Sequence, residues 1–155
     1  MILNNQNDMY LYFQMINELQ PDSVLDAGMF LKRAGSVSRQ MMGCGISEDV
    51  RLDGIDFFPE LQLPVWKNIY NKIYQGERLS EIQVVSNYDL GILLGSDSLK
   101  GRVSCEELLL WMGSRVSRLL VDSYLSENVK KLSDVNVQEI TVEGEVYYFI
   151  DYRSR

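Results

Sequence analysis

This chain contains no histidine, and its 155 residues include two cysteines and three prolines. Each shortage narrows the field. Without histidine the chain lacks the commonest neutral-pH base and the commonest metal ligand, so proton transfer falls to Asp, Glu, Tyr, Cys or Lys. Cys44 and Cys105 are far apart and form no CxxC pair, so they predict neither a zinc site nor a dithiol redox site. They read as two reduced thiols of a cytosolic, cytoplasmic protein. Basic residues are also short: 15 Lys and Arg stand against 22 Asp and Glu, a net charge of −7. That balance opposes a generic grip on nucleic-acid phosphates, although Lys32, Arg33 and Arg39 lie close together. The longest apolar runs, such as Leu108–Met112, are far too short to span a bilayer. The N-terminal stretch has no basic segment followed by an apolar one, which predicts no secretory leader.

The hydrophobic content is 46%, enough for one domain of this length, residues 1–155, to bury a core. Apolar residues at helical spacing (Met9, Tyr12, Phe13, Ile16, Leu19) predict a helix over 8–20, stopped by Pro21. Ser23–Gly28 reads as a buried strand that opens into a turn, and 30–42 as a helix stopped by Gly43-Cys44-Gly45. A second strand is expected over 51–58, with Asp53 at the sheet surface. A helix is expected after Pro64, with Trp66, Ile69, Tyr70 and Ile73 on one face, and then a short strand over 82–85.

Tyr88–Gly95 is the most continuous apolar strand and suits a position buried on both faces. Ser104 and Glu107 match a capping box before a helix over 105–113. Another strand follows over 116–122, then a short helix over 126–132. Two alternating strands close the chain, 137–142 and 145–152, joined through a tight hairpin at Glu143-Gly144-Glu145. Their aromatics, Tyr147, Tyr148, Phe149 and Tyr152, suit a half-buried closing strand. Strands alternating with helices mean crossover units and a mainly parallel sheet.

The leading helix, the Asp26-x-Gly28 turn, the acid Asp56 closing the second strand and Tyr88-Asp89 opening the central one carry a resemblance. The order of elements from there to the hairpin completes it. The chain resembles a small class I S-adenosylmethionine-dependent methyltransferase along essentially its whole length. The resemblance implies a Rossmann-like three-layer α/β sandwich with a seven-stranded, mainly parallel sheet in the order 3-2-1-4-5-7-6, strand 7 antiparallel. Residues 136–143 would be strand 6 and 145–153 strand 7. It further implies S-adenosylmethionine as cofactor, held by Asp26, Ala27 and Gly28 after the first strand. Asp56 would accept hydrogen bonds from the ribose hydroxyls, the alternative being a solvated Asp at a strand end. Phe57 would lie against adenine.

The family's two later glycines fall at Phe30 and Lys32. Either these side chains fill space that the methionine moiety needs, or the loop is longer and Gly35 takes the glycine's place. Gly95 and Ser96, at the carboxyl end of the central strand, fall where open sheets bind ligands. Asp97 beside them could orient a nucleophile or take its proton, or could belong to an ordinary turn.

Two classes of function fit these residues. One is methyl transfer to an oxygen, nitrogen or carbon nucleophile of a small-molecule or protein substrate. The other is an inactive methyltransferase-like domain serving protein interaction or assembly, including a homo-oligomer. The broken glycine motif and the absence of an added lid segment favour the second.

Overall fold

The computed structural model describes residues 5–30, 49–58, 69–84 and 86–153. Helix α1 (Asn5–Leu19) buries Leu11, Tyr12, Met15 and Ile16, one stripe at the spacing of successive helical turns. It stops where Gln20 takes φ 47° and donates its N–H to the Ile16 carbonyl at 2.9 Å. Pro21 follows, and a proline disfavours helical conformation in the residue before it.

The strands are β1 (Ser23–Ala27), β2 (Arg51–Asp56), β3 (Lys72–Gln75), β4 (Tyr88–Leu93), β5 (Val116–Asp122), β6 (Asn136–Val142) and β7 (Glu145–Asp151). They form one seven-stranded sheet in the order β3-β2-β1-β4-β5-β7-β6. The pairs from β3 to β5 are parallel, and β7 is antiparallel to both neighbours. This is the Rossmann-like architecture expected from the sequence.

Helices α2 (Cys105–Gly113) and α3 (Ser126–Lys130) follow β4 and β5. Ser104 caps α2, its hydroxyl accepting from the Glu107 N–H, as the capping box predicts. The side-chain period of two sends alternate residues to opposite faces. Val24, Leu52, Leu90 and Leu120 meet Tyr12 and Ile16 of α1. Leu25, Ile55, Leu119 and Ile150 meet Leu108 and Met112 of α2 and Val129 of α3. Fully burying one such side chain is worth about 1.5–3 kcal/mol, so two covered faces account for near-continuous apolar strands in the middle of the sheet. No described helix is long and apolar enough to cross a membrane.

Three expectations need correction. The third strand is Lys72–Gln75, and the expected strand over 82–85 is not one. Ile82, Gln83 and Val84 carry no regular structure, and Val85 lies outside the described residues. The Ile82 side chain is buried, with its Cδ1 only 2.9 Å from where a Cβ on Gly76 would stand. Its apolarity therefore reports burial of a loop and not a ladder. Ile73, expected on a helix, lies in β3, while Ile69 and Tyr70 are buried just before it. Asp53 is not at the sheet surface: it is fully buried, its Oδ2 accepting from Arg51 Nε at 2.8 Å and from the Tyr88 hydroxyl at 2.6 Å. Buried charge requires such partners. The expected helix over 30–42, with its Gly43-Cys44-Gly45 stop, and the start of the one after Pro64 fall outside the described residues, apart from Phe30.

Candidate functional site

Because β1, β2, β4 and β5 are parallel, their carboxyl ends meet along one edge. β6 runs with them through two antiparallel steps, so the β6–β7 turn reaches this edge too, and Asp122 pairs in register with Tyr147. The order reverses between β1 and β4, the position where open sheets of this kind take ligands. The edge divides into two halves.

In the β1–β2 half, Asp26 is fully buried beneath the turn. Its Oδ1 accepts the Phe30 N–H at 2.8 Å, and its Oδ2 accepts the Tyr70 and Tyr12 hydroxyls at 2.7 and 3.2 Å. Asp26 therefore pins the turn to α1 and to the segment before β3. Gly28 follows at φ 80° and Met29 at φ 54°. Two successive residues in the left-handed region reverse the chain, and only the first is the type that does so without strain. The Gly28 N–H donates to the Ile55 carbonyl at 2.8 Å, which ties the turn to the end of β2. The side chains of Met29 and Phe30 point into the core under α1, where Phe30 stacks on Tyr12 at 6.1 Å between ring centroids.

Asp56 ends β2 at this edge. Its Oδ1 accepts the Phe58 N–H at 2.8 Å, a local bond that fixes the carboxylate against the chain leaving the strand. Phe57 is fully buried among the apolar residues of the α2 face. The aromatic ring with an accessible side is the next one, Phe58. The Arg102 guanidinium lies 4.5 Å from its centroid and donates to the Phe57 carbonyl at 3.2 Å.

The β4–β5 half is built from acids. Gly95 (φ 61°) precedes a 3-10 turn over Ser96–Leu99. Ser96 is fully buried, and its hydroxyl and N–H both donate to Asp122 at the end of β5, at 2.5 and 3.0 Å. Asp97, one residue on, is exposed. Asp8, in the first turn of α1, accepts the Tyr147 hydroxyl, which also reaches Glu145 at 3.2 Å.

Burial pushes the Asp8 and Asp122 carboxyls above their ordinary value of 3.8, and the charge of Asp97 adds to both. Asp122 and Glu145 add further to Asp8. Burial and the adjacent Asp8 push the Tyr147 phenol up as well. These groups share one field of neighbouring carboxylates. Burial also raises the Cys105 thiol at the start of α2, and Asp122 raises it further, which leaves it a poor nucleophile at neutral pH. Among the described residues no three acidic or thiol groups converge on a metal position.

The structure thus brings Asp26, Ala27, Gly28, Asp56 and Phe57 to one half of the edge and Gly95, Ser96 and Asp97 to the other. Sequence reasoning missed Asp122, Asp8, Tyr147 and Arg102. Asp122 carried the same signal as Asp56, an acid closing an apolar strand. Asp8 and Tyr147 carried none, since 139 residues separate them.

The fold is that of the class I S-adenosylmethionine-dependent methyltransferases. A putative caffeoyl-CoA O-methyltransferase from Staphylococcus aureus superposes with a TM-score of 0.65 at 12% identity, over 97% of this chain and 85% of its own. Cofactor-bound Rv0187 from MTB gives 0.63 at 11% identity, over 100% of this chain and 83% of its own. A methyltransferase from Geobacter sulfurreducens gives 0.59 at 13% identity, over 97% and 82%. No protein-family model matches the sequence, and no curated protein matches it significantly.

Proposed function

We propose that this chain binds S-adenosylmethionine across the carboxyl ends of β1, β2 and β4 and transfers its methyl group to a nucleophile held over β4 and β5. The observation that carries the reading is the placement of Asp56. Its carboxylate closes β2 beside the Gly28 turn, to which β2 is joined by the 2.8 Å bond from Gly28 to Ile55.

The residues present fit the cofactor in three respects. Asp56 offers a locally anchored carboxylate to vicinal hydroxyls, a bidentate task. Phe58, backed by Arg102, offers an aromatic wall for a purine in the role the sequence assigned to its buried neighbour Phe57. The side chains of Met29 and Phe30 are withdrawn into the core, so neither fills the outer side of the turn over Asp26, Ala27 and Gly28.

The cofactor supplies the electrophilic methyl group, and the protein supplies position and exclusion of water. Gly95 and Ser96, held by Asp122, shape the floor between the two halves. Asp97, exposed above them, takes the proton from the nucleophile.

Thermal unfolding with S-adenosylmethionine or its demethylated product tests the reading. A one-site binder gains about 2.7 kcal/mol at one hundred times the dissociation constant. An unchanged midpoint at millimolar ligand would sink it.

A further inference from the structure

Strand β6 ends the sheet, and among the described residues it pairs with β7 alone. Glu143 and Gly144 both have positive φ, 48° and 84°, the two-residue turn in which the flanking pair, Val142 and Glu145, exchanges both backbone bonds. Alternation along the pair then turns the N–H and C=O groups of Val137, Glu139 and Thr141 outward. The register is unbroken by any bulge, and β6 contains neither Pro nor Lys, two common means of blunting an edge.

Beside this edge runs a groove of about 590 Å³ between α1 and the hairpin. Gln6, Tyr10 and Gln14, one helical turn apart, form one wall, and Ile140 to Glu143 form the other. Tyr10 is 58% exposed, an aromatic surface with no apolar neighbour covering most of it. The Asn7 amide closes the upper end by donating to Glu145 Oε1 at 3.2 Å and the Val142 carbonyl at 3.5 Å.

Charge says what fits. The first Lys or Arg of the chain is Lys32, so α1 has none, and none occurs between Lys131 and Arg153. The groove's lining is neutral apart from Glu143, and the exposed charges of the hairpin beside it are the acids Glu139, Glu143 and Glu145.

We propose that an extended basic segment of a partner protein adds to β6 as a further strand, its Lys or Arg side chains meeting Glu139 and Glu143 while alternate residues lie against Tyr10. Main-chain bonds to Val137, Glu139 and Thr141 supply affinity, and the groove supplies specificity. A second copy of this chain is the wrong occupant. Pairing β6 with β6 about its centre sets Glu139 against Glu139, which is unfavourable across a sheet, and brings together two bodies of net charge −7. The docking stands apart from methyl transfer and needs no cofactor.

The test titrates the full chain, without cofactor, into a fluorescein-labelled peptide of about eight alternating Lys and Val residues and follows anisotropy. Saturable binding is expected that weakens with added salt and is lost when every Lys of the peptide is Glu. Thr141→Pro removes an outward N–H while sparing the bonds to β7, and should lower affinity about tenfold. Tyr10→Ala, on the exposed face of α1, should lower it about fivefold with an unchanged circular dichroism spectrum. No saturation by about 1 mM chain, equal binding of the Glu peptide, or full affinity in both variants would each overturn the proposal. So would sedimentation showing that the chain pairs with itself through β6.

Discussion

The two halves of the carboxyl edge use the same residue type in opposite ways. Asp26, in the β1–β2 half, is surrounded by neutral donors, two tyrosine hydroxyls and a backbone N–H. Asp122 and Asp8, in the β4–β5 half, have donors too, but each also feels neighbouring carboxylates. The first arrangement spends its acid on shape: three bonds hold a turn whose backbone conformation only glycine accepts freely. The second concentrates negative charge where burial already disfavours it. Such crowding is costly for stability and useful for moving a proton. At the amino edge Asp53 shows a third solution, a buried carboxylate neutralised by Arg51 at 2.8 Å.

Asp26→Ala should have the largest effect on the contrast. It removes the acceptor that ties the Tyr12 and Tyr70 hydroxyls and the Phe30 N–H together, at about 3 kcal/mol or more. Urea unfolding would measure it, and a loss within about 0.5 kcal/mol would show that the turn holds without its acid.

Asp56→Ala comes next. Removing one local bond costs about 1 kcal/mol of stability, but the variant should lose the thermal shift from S-adenosylmethionine. A retained shift would refute the ribose role while leaving the fold intact.

Tyr147→Phe removes the hydroxyl that Asp8 and Glu145 share, at about 1 kcal/mol. The Tyr147 bond lowers the Asp8 carboxyl against the upward push of burial. In the variant, Asp8 should titrate higher still, and an NMR titration that found it lower would contradict the assignment.

The smallest effect is a slope. Asp8 and Asp122 have folded values above 3.8, so over that window the folded chain keeps protons that the unfolded chain has released. Stability should therefore fall as pH rises from about 4, since the folded state binds more protons. Asp122→Asn removes part of that slope, and urea midpoints between about pH 4 and pH 7 would show it. Equal slopes in the two proteins would mean that Asp122 carries no such burden.

Much of the scaffold was legible in local pattern. The stripe of α1, the apolar run of β4, the Ser104–Glu107 cap and the Glu143–Gly144 turn each report a burial period or a backbone demand that lies within a few residues. The failures share a cause. Lys72–Gln75 is a four-residue edge strand, too short to show a period, while Ile82 is apolar because a loop buries it over Gly76. Asp53 read as exposed because a charged residue inside a strand is ordinarily solvated; Arg51, two residues before it on the same face, was a local partner, but the Tyr88 hydroxyl, 35 residues away, could not be seen from its neighbours. The acids at strand ends were visible as types: Asp56 was noticed, and Asp122 passed unremarked beside it.

By itself, then, the sequence determined the succession of elements and put acids at the ends of two parallel strands, because periodicity and turn chemistry act over distances of a few residues. Tertiary structure alone decided what each acid does. Asp26 became a staple through Tyr12 and Tyr70, and Asp8 joined Asp122 through the closure of α1 onto β7. A carboxylate takes its energy from whatever charge and hydrogen-bond donors surround it, and for Asp26, Asp8 and Asp122 many of those groups come from segments brought together only by the sheet.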